Sequence, residues 1–124
     1  MRVLVLAVVS FVTFKWVLLP IRTQGSSMLP TYGPGELNLV NLLAYSRSPP
    51  SRGDVIAIRM AGPHVVYVKR VIGLPGERVA VSQGSVQING AALTEPYVRN
   101  RRPWDVPEVT LGQHEYFVIG DNRG

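Results

Sequence analysis

The feature that most constrains this chain is an apolar run at its N-terminus. Residues 3–14 are all apolar or small, and after Lys15 the run resumes and continues through Leu19. As a helix, about seventeen residues at 1.5 Å each span roughly 25 Å. That length is close to the shortest that crosses a bilayer. We therefore expect residues 1–22 to form a membrane anchor, with Lys15 near one end, where its amine reaches water.

A cleavable secretory signal is the alternative, because Arg2 supplies the charged start that such signals carry. No small-x-small cleavage site follows the run, and the residues at its end are bulky or proline. The N-terminal amine and Arg2 flank one side, and Arg22 flanks the other. The positive-inside rule then favours a single-pass protein of the plasma or inner membrane, with the remaining chain on the extracytoplasmic side.

Beyond Pro20 the sequence changes to short segments rich in Val, Ile and Tyr, separated by many of the 12 glycines and 10 prolines. Such segments are typical of strands, and Asn89-Gly90 predicts a tight hairpin turn. No stretch here keeps a helical period. We expect strands at 36–43, 54–60, 64–72, 78–82, 85–88 and 115–119. The prediction is an all-β, antiparallel sheet or barrel-like domain over residues 23–124.

Several kinds of chemistry are excluded by composition. The chain has no cysteine, so disulfides, thiol nucleophiles and thiolate zinc sites are absent. His64 and His114 stand 50 positions apart (114 minus 64), so no local metal motif is present. We expect neither a metal nor a cofactor.

The net charge of +5 is partly concentrated in residues 99–107, a basic, proline-bearing segment expected to be an exposed loop. Within it, residues 99–104 would either meet anionic lipid or simply remain solvated. A basic β domain that binds nucleic acid is a rival interpretation. The N-terminal anchor argues against it, and no nucleic-acid partner is expected.

Ser27 lies in a turn directly after the anchor, in the sequence Gly25-Ser26-Ser27-Met28-Leu29-Pro30-Thr31. A serine in such a turn can present its hydroxyl beside backbone N–H groups that stabilise a developing oxyanion. Taken alone, these residues are equally compatible with an ordinary serine-rich turn.

Lys69 lies within a predicted strand whose two faces are both largely apolar, which suggests burial on both sides. Taken alone, it could be a lysine that protects an edge strand from aggregation. Removal of an amine from water disfavours its charged form. A neutral Lys69 would accept the proton of Ser27, as in serine–lysine variants of the catalytic triad. The two residues are 42 positions apart (69 minus 27), so the fold must bring them together.

Four motifs in order resemble those of bacterial type I signal peptidases, membrane-bound serine proteases that remove signal peptides. The segment 25–31 looks like the nucleophile box of that family, and Arg52-Gly53-Asp54-Val55 resembles its second box. Residues 69–77, Lys-Arg-Val-Ile-Gly-Leu-Pro-Gly-Glu, are similar to the lysine box, and Gly120-Asp121-Asn122-Arg123 to the last box. The resemblance runs from residue 25 to residue 123.

The resemblance implies that Ser27 is the nucleophile, that Lys69 is the general base and that the backbone N–H of Ser27 is an oxyanion donor. Met28, Tyr67 and Val68 match positions that shape apolar pockets for small residues at −1 and −3 of a preprotein. An extended substrate would pair with strand edges there. Asp121 and Arg123 would have supporting roles, with Asp121 acting on Lys69 or Arg123.

Two departures from the family pattern stand out. Some members carry a hydroxyl donor two residues before the nucleophile, where this chain has Gly25, although Ser26 or water would compensate. The last box usually continues past Asn-Arg with Asp, Asn and Ser, whereas this sequence ends at Gly124. We therefore expect a catalytic domain that is incomplete at its C-terminus. An inactive or accessory homologue is the alternative to an active peptidase.

Overall fold

The computed structural model describes residues 1–60 and 66–124 as one helix and nine strands. In chain order these are α1 (Arg2–Val17), β1 (Leu18–Arg22), β2 (Leu37–Asn41), β3 (Val55–Arg59), β4 (Val66–Gly73), β5 (Arg78–Ser82), β6 (Ser85–Ile88), β7 (Ala91–Ala92), β8 (Val106–Thr110) and β9 (Phe117–Ile119). The third predicted strand, 64–72, corresponds to β4, and its predicted start at His64 lies outside the described residues.

The N-terminal helix is shorter than the sequence predicts. It ends at Val17, and Leu18 is extended, with φ −118° and ψ 129°. Proline at position 20 disfavours a helical conformation for the residue before it. Residues 18–22 instead pair with β2 as strand β1. Across the described residues, no helix combines the length and the apolar character needed to cross a membrane.

All strand pairs are antiparallel, which confirms the predicted class. They form three sheets, in the orders β1-β2, β3-β4-β9 and β7-β6-β5-β8. Asn89 and Gly90, with φ of 51° and 85°, make the predicted turn between β6 and β7.

Strand β8 was not predicted from the sequence, and it begins inside the predicted loop at 99–107. Pro107 argues against a strand, because proline cannot donate a ladder hydrogen bond. Among the described strands, β8 pairs only with β5 and is an edge strand. The register shifts between the pairs Val79–Val109 and Val81–Val106, so the irregularity falls at the proline. An edge position and a bulge are the places where a sheet tolerates proline.

A small core lies where the end of β4 meets the four-stranded sheet. Its buried members are apolar: Ile72, Val79, Val81, Val86 and Leu111. The prediction that β4 is buried on both faces holds only for its C-terminal end. Val71 and Ile72 are fully buried, but Tyr67 is 49% exposed, because the first half of β4 faces an open cleft.

Gly73 lets β4 pass close to the core. A Cβ at this position would lie 2.6 Å from Val79 Cγ2 and 2.9 Å from both Leu111 Cδ1 and Phe117 Cβ. Gly73→Ala should therefore lower the free energy of unfolding by about 1–3 kcal/mol, the usual cost of overpacking. Urea unfolding of the full chain measures this.

The matched control for that substitution is Gly112→Ala. Its Cβ would meet only the flexible end of Glu115, at 3.3 Å or more. Equal effects of the two substitutions would contradict the close packing at Gly73.

Candidate active site

Four of the predicted site residues line one open cleft of about 530 Å³: Ser27, Met28, Tyr67 and Val68. One wall is formed by residues 19–25, from β1 and the loop after it, and the other by residues 66–68 at the start of β4. The fold therefore brings the nucleophile box and the strand that carries Lys69 to the same place.

Ser27 is half-buried on the loop after β1. Gly25 precedes it with φ +80°, a conformation that favours glycine. Within the described part of the chain, neither the hydroxyl nor the backbone N–H of Ser27 has a hydrogen-bond partner. Both groups remain available to a ligand, while the next residue, Met28, is buried and fixes the loop.

Lys69 is half-buried on β4, where it pairs with Ile56 of β3. Its amine makes no hydrogen bond or ion pair with any described residue. On the other side of β4, Arg70 pairs with Ile119 of β9. The pairing ends there, and Gly120 is the next residue after β9, at the end of the pairing that is nearer to Lys69.

Gly120 also lies against Ser27. A Cβ at Gly120 would overlap the carbonyl oxygen of Ser27 and lie 3.2 Å from its Cβ. The last box therefore contacts the serine loop directly and, by register, neighbours the lysine strand. Only glycine permits this approach, because a side chain would push the loop away.

Asn122 holds the serine loop in place. Its backbone N–H donates to the carbonyl of Ser27 at 2.9 Å, and its side-chain amide donates to the carbonyl of Ser26, also at 2.9 Å. Both carbonyls are thus turned toward the last box. The sequence analysis did not single out Asn122 or Gly120, although both lie within the motif that it quoted.

Asp121 joins the serine loop to the lysine strand. Its fully buried carboxylate accepts two hydrogen bonds from Arg70, at 2.8 and 2.7 Å, and one from the Thr31 hydroxyl at 2.6 Å. Arg70 also donates to the carbonyl of Gly53 and lies 4.2 Å from the ring centre of Tyr97. Asp121 was expected to support Lys69 or Arg123 electrostatically. Its hydrogen-bond partners are Arg70 and Thr31, and the charge of Arg123 also lowers its pKa.

The electrostatics of this group follow from its contacts. Burial raises the pKa of Asp121, but the hydrogen bonds from Arg70 and Thr31 outweigh it, so the pKa lies below its usual range. Burial, with help from the neighbouring Glu95, raises the pKa of Tyr97 to about 12. The carboxylate stays charged and the phenol stays neutral across the ordinary pH range.

Arg123 holds the last box in place through buried hydrogen bonds. It is buried and donates two hydrogen bonds to the buried carboxylate of Glu95, at 2.6 and 3.1 Å. Its Nε also donates to the carbonyl of Gly120 at 2.9 Å. Arg123 therefore positions the segment that touches Ser27. Glu95 could not be recognised from the sequence, because it lies in no motif.

The second box braces the turn that leads into β3. Arg52 binds Glu77 through two hydrogen bonds of 2.8 and 2.5 Å and also donates to the carbonyl of Ile72. These bonds from Arg52 are the main reason that the pKa of Glu77 is lowered. The Asp54 carboxylate accepts a hydrogen bond from the backbone N–H of Ser51 at 3.0 Å and so orders this turn. Among the described residues, no cluster of His, Asp or Glu could hold a metal ion.

Removal of the Asp121 charge should reveal its contribution to stability. The folded-state pKa of Asp121 is depressed, so its stabilisation is present above the unfolded value of about 3.9 and is lost as pH falls through the folded value. We expect Asp121→Asn to cost about 3 kcal/mol at neutral pH, because it leaves the charge of Arg70 without its partner. As pH falls below about 4, the free energy of unfolding should also decrease less in this variant than in the unchanged chain.

Denaturant unfolding from pH 3 to pH 8 measures both effects of Asp121→Asn. The control is Glu108→Gln, which removes an exposed carboxylate 3.5 Å from Arg78 and should cost under about 1 kcal/mol. If the free energy of unfolding fell equally at acid pH in the Asp121 variant and in the unchanged chain, the stabilising role of the Asp121 carboxylate would be contradicted.

Comparison with known proteins places this geometry in a family. The family model described as "Signal peptidase, peptidase S26" matches residues 1–124. The chain is similar to a solved signal peptidase I from Enterococcus faecalis V583, with 31% identity and a TM-score of 0.49 over 61% of this chain and 80% of that one.

Curated relatives agree with the family match. A probable signal peptidase I-2 of Synechocystis sp. is 35% identical over 79% of this chain, and a signal peptidase I of Bacillus caldolyticus is 38% identical over 81%. Signal peptidase I S of Bacillus subtilis is 32% identical over 98%. The chain spans 48%, 62% and 72% of the lengths of these relatives, respectively. The match of the family model to the whole chain, together with these relatives, shows that this chain belongs to the type I signal peptidases of the S26 family.

Proposed function

We propose that this chain is a membrane-anchored serine endopeptidase that removes signal peptides from preproteins, with Ser27 as nucleophile and Lys69 as general base. One observation carries the proposal. Gly120 packs against Ser27, and the residue before it, Ile119, pairs with Arg70, the neighbour of Lys69 on β4. The end of β9 thus brings the serine loop close to the strand that carries Lys69, although Ser27 and Lys69 are 42 positions apart in the sequence. The names of the relatives supply the class of substrate.

The proposed reaction begins with the hydroxyl oxygen of Ser27 attacking the carbonyl carbon of the scissile peptide. The uncharged amine of Lys69 takes the hydroxyl proton, and the carbonyl oxygen becomes an oxyanion. The carbon–nitrogen bond then breaks, and Lys69 gives the proton to the departing amine. Water hydrolyses the remaining ester by the same sequence, with Lys69 again accepting and returning a proton.

The oxyanion would be stabilised by the backbone N–H of Ser27, which is free among the described residues. Gly25 offers no side-chain donor, and its φ of +80° explains why a glycine is favoured there. One oxyanion donor is typically worth about 10²–10³ in rate. The rate of cleavage by this chain should therefore depend on the Ser27 N–H more strongly than the rate in relatives that carry a hydroxyl at the position of Gly25.

The cleft suits an extended peptide with small side chains. β1 pairs only with β2 among the described strands, and residues 19–22 of β1 line the cleft. This leaves a backbone edge at the cleft that a substrate strand can join. Met28 and Val68 give apolar walls near Ser27, which favours small residues at −1 and −3.

We propose that α1 is the membrane anchor and that the β domain lies on the extracytoplasmic side. Residues 2–16 are all exposed, and eleven of these fifteen residues are apolar. A protein rarely leaves so large an apolar surface in contact with water. Lipid is the partner that would cover every side of such a helix.

Activity should depend on the two proposed catalytic side chains. We expect Ser27→Ala and Lys69→Arg each to lower cleavage of a model preprotein by about 10⁴-fold or more, because each removes one half of a coupled pair. The controls are Ser48→Ala, at an exposed loop position, and Lys15→Arg, at the only other lysine of the chain. Both controls should retain activity.

The test combines single-turnover cleavage of a model preprotein with labelling by a serine-directed acylating reagent. Full activity in Lys69→Arg would contradict a neutral-amine base, because arginine keeps its proton. A chain that labels at Ser27 but cuts no preprotein would be the accessory homologue.

Membrane attachment should depend on the apolar character of α1. We expect Val9→Asp to release a measurable fraction of the protein from membranes under alkaline extraction, because a buried carboxylate is costly in lipid. Val109→Asp makes the same chemical change at an exposed position of β8 and should leave the extracted fraction unchanged. Equal release of both variants and the unchanged chain would contradict the anchor.

A further inference from the structure

A short basic loop lies beside the candidate active site. We call residues 99–102, Arg-Asn-Arg-Arg, the basic loop; all four residues are exposed. Among the described residues, Arg101 alone of its arginines lies within ion-pairing distance of a carboxylate, 3.9 Å from Glu95. Glu95 is already bound by Arg123 at 2.6 Å. The positive charge of the loop is therefore not neutralised by neighbouring acidic side chains of the described chain.

Hydrogen bonds connect the basic loop to the segment that holds Ser27. The Arg99 N–H donates to the carbonyl of Asp121, and the Arg123 N–H donates to the carbonyl of Arg99, both at 2.9 Å. The amide of Asn100 donates to the side-chain oxygen of Asn122 at 2.8 Å. Asn122 in turn binds the carbonyls of Ser26 and Ser27. A single side chain, that of Asn122, thus connects the basic loop to the backbone of the serine loop.

The basic loop is also held from the opposite direction. The backbone N–H of Gly84 donates to the carbonyl of Trp104 at 2.9 Å, and the N–H of Gln83 donates to the Asp105 carboxylate at 2.8 Å. A Cβ at Gly84 would overlap the carbonyl oxygen of Arg102. The turn between β5 and β6 therefore supports the loop, so that little ordering entropy is lost when a ligand binds.

The position of the basic loop differs from that of the cleft. None of residues 99–102 lines the cleft that Met28, Tyr67 and Val68 share with Ser27. The loop flanks Ser27 from the side of Asn122, toward which the carbonyls of Ser26 and Ser27 point. If a peptide fills the cleft up to its scissile bond, the residues after that bond lie on the other side of Ser27. Asn100, Arg101, Arg102 and Asn122 line a surface depression on the Asn122 side of Ser27.

We propose that the basic loop selects substrates with acidic side chains in the first few residues after the scissile bond. The proposal rests on the peptidase function proposed above and adds a specificity that the motifs do not contain. Charge complementarity makes an acidic segment the fitting ligand, because Arg101 and Arg102 offer planar donors that match carboxylates.

An anionic membrane surface is the other ligand class for such a loop, and the structure favours the peptide. Membrane-surface segments combine basic residues with presented apolar side chains. Here Trp104 is half-buried and packs against the core instead of being presented. The hydrogen bonds of the loop run to the catalytic segment.

The test compares three preprotein peptides that differ only at positions +2 and +3, carrying two Asp, two Asn or two Lys. The value of kcat/KM is measured for the unchanged chain and for the double variant Arg101→Gln, Arg102→Gln. The control double variant, Arg47→Gln with Arg78→Gln, makes the same change in net charge at exposed positions outside the basic loop. Binding of the same peptides to Ser27→Ala, by fluorescence anisotropy, gives a second measure without cleavage.

The unchanged chain should prefer the Asp peptide to the Asn peptide by about threefold to tenfold, the sum expected of two exposed charge pairs. This preference should vanish in the Arg101, Arg102 variant and persist in the control variant. It should also weaken at about 1 M salt, where the Debye length is near 3 Å.

Equal Asp-to-Asn ratios in all three proteins would overturn the proposal while leaving the peptidase function intact. Failure to cut even the Asn peptide would overturn the peptidase function itself. Binding of the loop to anionic vesicles, with no preference among the peptides, would assign it to lipid and overturn the peptide proposal.

Discussion

The pairing of β9 with β4 is the constraint on which the candidate site depends. This pairing delivers Gly120 and Asp121 to the strand that carries Lys69 and Arg70, at the point where the serine loop passes. Backbone hydrogen bonds set the register, and a shift by one residue would turn each side chain to the other face. The missing side chain at Gly120 then leaves room for Ser27. The register of β9 on β4 and the close contact between Gly120 and Ser27 thus determine most of the position of the serine loop.

Charged side chains around the site have mainly structural roles in this arrangement. Arg70, Arg123 and Arg52 each bind a carboxylate through two hydrogen bonds, and each also donates to a backbone carbonyl. These bonds tie together segments that are far apart in sequence. The two groups proposed to do the chemistry, the hydroxyl of Ser27 and the amine of Lys69, have no such partner among the described residues. Rigidity is concentrated around the site, and the reactive groups remain available.

The sequence predicted the antiparallel class and most strand positions because alternating apolar residues and turn residues are local signals. It could not predict β8, whose pairing depends on an edge position and a bulge that accommodate Pro107. It also placed the end of the helix at Leu19, because hydropathy does not register the conformational effect of Pro20 on its neighbour. Local patterns identified the elements, and tertiary context decided where they end.

Within the site, the motifs identified the segments that meet but not the contacts between them. Arg70 was visible only as the neighbour of Lys69, and its bond to Asp121 depends on the register of two strands. Glu95 lies outside every motif, and only the structure reveals its bond to Arg123. Such pairings are non-local, so no spacing in the sequence encodes them.

The bond between Thr31 and Asp121 joins residues 90 positions apart, and that between Ser26 and Asn122 joins residues 96 apart. Contacts of such long range form late in folding. A nascent chain emerging from the ribosome therefore carries its serine long before the segment that positions it has been made. The serine loop can therefore take up its final position only after translation has passed Asn122, whatever the earlier residues have already formed.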